Sequence, residues 1–68
     1  MIDVNKLRGR MAEKGKSGQD VAKAIGKTPK TFYLKMKAGV FDSDEIEAMV
    51  RYLEIENPVD IFFAEKVT

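Results

Sequence analysis

The chain has 68 residues, 34% of them charged, with no Cys, His or Trp. That length gives one domain, residues 1–68, with a small core, and without Cys or His there is neither a disulfide nor the usual ligand set for structural zinc. The net charge of +1 hides an uneven distribution: residues 1–39 carry ten Lys or Arg against three acids (+7), and residues 40–68 carry two against eight (−6); an anion-attracting side looks like this in sequence.

Apolar spacing and cap signals divide the chain into four or five short helices. The first follows Asp3 as N-cap, with Val4, Leu7 and Met11 at helical spacing, and Gly15 stops it. Ser17 caps the second, which carries Val21, Ala22 and Ile25 on one face and ends at Gly26. There a residue that tolerates positive φ closes the last turn. Thr28-Pro29 announces the third helix, over about 29–38, because Thr caps and Pro at the first helical position loses no hydrogen bond. Phe32 and Met36 lie four apart on its inner stripe, and Gly39 ends it. Asp42 caps the fourth helix, with Glu45 placed for a capping box and with Ile46, Met49, Val50 and Leu53 on a buried face. Asn57-Pro58 opens a short fifth helix through Val59, Ile61 and Phe62, with its end at Phe62 or Phe63. The tail, residues 64–68, either frays or pairs as a strand with a second copy. The expected fold is a compact all-α bundle, with Val4, Leu7, Met11, Val21, Ala22, Ile25, Phe32, Met36, Ile46, Val50 and Leu53 in its core.

With Phe32 marking the core, steps of 100° place Lys30, Leu34 and Lys37 on the far side of the third helix and Tyr33 on its flank, with Thr28 at the tip. This mixture suits a DNA groove. Lys donates to guanine or phosphate, Tyr to either, and Leu touches a thymine methyl. The start of the second helix, at Ser17, Gly18 and Gln19, offers unpaired N–H groups to a phosphate, and Lys27 and Lys35 could reach the backbone. Arg8 and Arg10 could do the same if the first helix turns that edge toward the duplex.

The segment SGQDVAKAIGKTPKTFYLKMKAG, residues 17–39, resembles the helix-turn-helix of the lambda-repressor-like family, especially small Cro-type phage regulators. The likeness is carried by Ala22 within the second helix, Gly26 in the turn, apolar Val21, Ile25, Phe32 and Met36, and the closing Ala38-Gly39. It implies a five-helix fold and a dimer on a near-palindromic operator. It also implies base reading by Thr28, Pro29, Lys30, Tyr33 and Leu34. Three positions depart from the family pattern. Gly18 stands where the family often has Gln, Pro29 where it often has a polar reader, and Lys27 at a turn position that is usually apolar.

The expectation is a cytoplasmic, sequence-specific transcriptional regulator of Cro or repressor type that binds double-stranded DNA as a homodimer, with Phe62, Phe63 and the tail as candidate dimer contacts. The competing expectation is a module of the same fold that binds a repressor protein, as phage anti-repressors do. An enzyme is disfavoured, since the chain has no phosphate loop and no nucleophile–base pair, and no metal, cofactor or membrane is expected. The acids Asp42, Asp44 and Glu45 read as a helix start, and Glu47 continues on the exposed face.

Overall fold

Local chemistry sets where each helix begins. The structure, a computed structural model, describes residues 2–63, in which five helices follow one another: α1 (Val4–Glu13), α2 (Gly18–Ala24), α3 (Pro29–Ala38), α4 (Ser43–Tyr52) and α5 (Pro58–Phe62). Asp3 Oδ1 accepts the Lys6 N–H at 3.1 Å, and Thr28 Oγ1 accepts the Thr31 N–H at 3.2 Å. At α2 the arrangement is reciprocal: Asp20 N–H donates to Ser17 Oγ while Ser17 N–H donates to Asp20 Oδ2. Each of these caps satisfies helix-start N–H groups that would otherwise be orphaned, worth about 1 kcal/mol apiece.

Four of the helix ends share one closure. After α2, Gly26 turns to φ +76°, its N–H donates to the Lys23 carbonyl, and the Lys27 N–H reaches back to the Ala22 carbonyl. The paired bonds stop the helix and aim the chain at Thr28 within four residues. The same closure follows α1 and α3. After α4 it recurs without glycine: Glu54 holds φ +52°, and the Ile55 N–H bonds the Val50 carbonyl. Lys14 Nζ meets the Glu54 carboxylate at 2.8 Å, and Arg10 Nε and Nη2 donate to the Leu53 and Glu54 carbonyls. Cationic donors on the exposed end of α4 match the negative pole of its dipole.

The core takes Leu7 and Met11 from α1, Val21 and Ala22 from α2, Phe32 and Met36 from α3, Met49 and Leu53 from α4 and its end, and Ile61 and Phe62 from α5. Burying each large side chain stabilises by about 1.5–3 kcal/mol. Expected core residues Val4, Ile25, Ile46 and Val50 are only partly buried and pack at its margin. Ile2, Phe41 and Ile55, which lie outside the helices, are buried instead. Helix α2 packs on α3 and α4, and α1 packs on α5. The Asp3 N–H to Ile61 carbonyl bond, at 2.7 Å, fastens the segment before α1 to α5. Residues 64–68, where an alternative strand was expected, lie outside the described part. Among the described residues no helix is long and apolar enough to cross a membrane.

Candidate nucleic-acid interface

Helix α3 is held down by one side. Phe32 is fully buried and packs against Phe41, with ring centroids 5.7 Å apart, and Met36 lies one turn along. The opposite side carries Lys30, Tyr33, Leu34 and Lys37, all exposed. Leu34 is 59% exposed and Tyr33 is 50% exposed. Lys30 and Lys37 have no acidic partner within ion-pair distance among the described residues. Two ammonium groups and an apolar side chain therefore stand clear of the rest of the chain, with the half-exposed Tyr33 ring beside them.

The remaining sequence-expected residues divide. Pro29 and Thr28 sit at the exposed tip, but the Thr28 hydroxyl is engaged: it accepts from the Thr31 N–H and donates to Thr31 Oγ1. Ser17 is engaged in the same way, its hydroxyl donating to Asp20 Oδ2 at 3.0 Å. Bonds from the Ser17 backbone and side chain hold the Asp20 carboxyl below its ordinary value, so a carboxylate already occupies the start of α2. That anion opposes a phosphate at the same place. Gln19 is exposed.

Gly18 is buried, and the reason lies on α3. A Cβ at Gly18 would overlap the Tyr33 hydroxyl and ring end. The Tyr33 ring also meets Phe32 edge-on at 5.5 Å. The phenol thus lies over the first residue of α2 and packs the two helices together, so a side chain at position 18 would displace the ring. No local pattern marks this contact, because it joins residues fifteen positions apart.

Lys35 and Lys27 do not stand free. Lys35 Nζ donates to both oxygens of Glu45 at 2.9 Å and lies 3.6 Å from Asp42 Oδ2. Lys27 Nζ is 3.8 Å from Glu45 Oε2. Glu45 also accepts the Asp42 N–H at 2.8 Å and is only 4% exposed. Burial pushes its carboxyl up, but the Lys35 ammonium, the Asp42 N–H and Lys27 outweigh this and leave it below its ordinary value. Lys35, hydrogen-bonded to Glu45, is raised. Lys35, expected at a phosphate, bonds Glu45 here and so ties α3 to α4. Arg10 likewise serves the end of α4, while Arg8 and Lys23 remain exposed.

Of the residues expected to meet a second copy, Phe62 belongs to the core, and Phe63 is exposed at the rim of an open apolar groove of about 240 Å³ beside Val40 and Phe41. Among the described residues no group of three or more acidic side chains is arranged to hold a metal ion. No family model, curated protein or solved structure matches the chain.

Proposed function

We propose that the chain is a cytoplasmic DNA-binding module of the helix-turn-helix kind, a small transcriptional regulator whose α3 enters the major groove. The observation that carries this reading is the exposed Lys30, Leu34 and Lys37, with Tyr33 half-exposed at their flank, set opposite the Phe32 and Met36 anchors. A groove reader needs a convex helix face with mixed donors and an apolar contact, held from behind by a rigid core. Lys30 and Lys37 supply donors to guanine or phosphate, Leu34 faces a thymine methyl, and Tyr33 and Pro29 fill the flank and tip. Gln19, Lys23 and Arg8 supply additional backbone contacts. Ser17, Thr28 and Lys35 drop out of the contacting set because intramolecular bonds hold them.

One module of this size covers too little DNA for high specificity, so the reading entails a second copy on a two-fold site. Gel retardation on duplexes flanking its own gene, at 50 and 200 mM salt, tests it. Retardation should weaken steeply with salt, and Lys30→Ala or Lys37→Ala should each lower the salt slope by about one. The exposure of Leu34 and Tyr33 also favours a second reading, in which this face grips a repressor protein. Absence of retardation together with a stoichiometric complex with a repressor would decide for that reading.

A further inference from the structure

The α2–α3 region, residues 17–39, carries five lysines, Lys23, Lys27, Lys30, Lys35 and Lys37, yet two of them converge on a single carboxylate from α4. Glu45 is nearly sealed from solvent, and Lys35 closes on both of its oxygens. A capping carboxylate needs no such company: the Asp42 N–H alone completes that task. The two lysines it draws in come from the α2–α3 turn and from the side of α3 about 60° round from Phe32.

We propose that Glu45 sets the selectivity of DNA recognition by withdrawing Lys27 and Lys35 from the phosphate backbone. The inference rests on the DNA-binding reading and deepens it. Phosphate contacts raise affinity for every sequence alike, whereas groove contacts discriminate. Holding Lys35 on Glu45 and drawing Lys27 toward the same carboxylate leaves the interaction more dependent on Lys30, Leu34 and Lys37. Lys35, fixed between Glu45 and Asp42, also holds α3 at one angle to α4. Glu45 touches no DNA in this account; it is a positioning residue acting through Lys27 and Lys35.

Glu45→Gln separates the charge from the cap, because the glutamine carbonyl oxygen still accepts the Asp42 N–H. The variant should keep its helical circular dichroism and bind unrelated duplex more tightly at 50 mM salt. Each lysine released to a phosphate adds about 0.9 to the log–log salt slope, so between 50 and 200 mM it should lose about 3- to 12-fold more affinity than the parent. Its preference for the operator over unrelated duplex should narrow, and Lys27→Ala added to Glu45→Gln should restore part of the parental slope. If Glu45→Gln unfolds, Lys35→Gln alone carries the test: it should leave the slope unchanged where Lys30→Ala lowers it. A parental protein that binds DNA, with a slope unaltered by Glu45→Gln or lowered by Lys35→Gln, overturns the role of Glu45 alone. A parental protein that fails to bind duplex at 50 mM salt overturns the DNA-binding reading and this inference with it.

Discussion

Helices α1 and α3 each carry three cationic residues and use them in opposite ways. On α1, Lys6 meets Asp60 at 2.9 Å, and Arg10 spans Glu13 and the carbonyls ending α4, which leaves Arg8 outside. On α3 only Lys35 is tied down among the described residues, and Lys30 and Lys37 are exposed. The difference comes from what each helix lies beside. Helix α1 runs past the carbonyl-rich end of α4 and along α5, where cations find acceptors. Helix α3 meets α4 at Glu45, near its start, and presents its other side to solvent. A basic half beside an acidic half is therefore two things at once: an internal set of ties across the fold and a smaller free surface. Charge counts along the sequence cannot separate them.

That contrast can be tested by where each substitution acts. Arg10→Ala should cost about 1–2 kcal/mol in urea unfolding, because two carbonyls at the end of α4 lose a charged donor. It should leave the DNA salt slope alone; a changed slope would put α1 on the duplex. Acid comes next. The carboxyls of Glu45, Asp20 and Glu54 all lie below their ordinary values in the fold. The stability contributed by Glu45 and Glu54 is whole above their ordinary value of 4.5, and that of Asp20 above 3.8, and each is lost as pH falls through the lower folded value. The urea midpoint should therefore drop below about pH 4.5, and Glu45→Gln should flatten that drop. Lys6 and Lys35 are raised by Asp60 and Glu45, so their share is present below 10.5 and vanishes only at higher pH.

Glu54→Gly should raise stability by about 0.5–1 kcal/mol, since glycine accepts positive φ without a Cβ clash and the exposed pair with Lys14 is worth little. A loss of stability would show instead that the Lys14 bond outweighs the backbone strain. Lys37→Ala, at the small end, should shift unfolding by less than about 0.5 kcal/mol while weakening duplex binding. A larger stability effect would move Lys37 to the structural side of the comparison.

Most of the fold was legible because its signals are local. Asp3, Ser17, Thr28 and Asp42 precede four of the helices, and Gly15, Gly26 and Gly39 follow three of them. Where a helix ends without glycine, as at Glu54, the sequence carried no stop signal, because the turn is held by Arg10 and Lys14 from a distant helix. Ile2, Phe41 and Ile55 escaped the core reading since a 3.6-residue period sees only residues within helices. At the candidate site, Glu45 was read as a capping residue, and its bond to the Asp42 N–H agrees with that. Its grip on Lys35 and Lys27 was invisible, for it depends on how α3 and α4 cross. The outward set of α3 followed from angular steps alone, and the exposure of Lys30, Tyr33, Leu34 and Lys37 matches it.

The seat of Tyr33 on Gly18 makes those two positions a single steric unit. A side chain at position 18 requires the Tyr33 ring to swing away from its present seat. A library randomised at positions 18 and 33 and selected for folding should return reciprocal sizes, small with aromatic or larger with small. The variants with a long polar residue at 18 would then carry a differently shaped reading head on the same scaffold, reached through exchange within one pair.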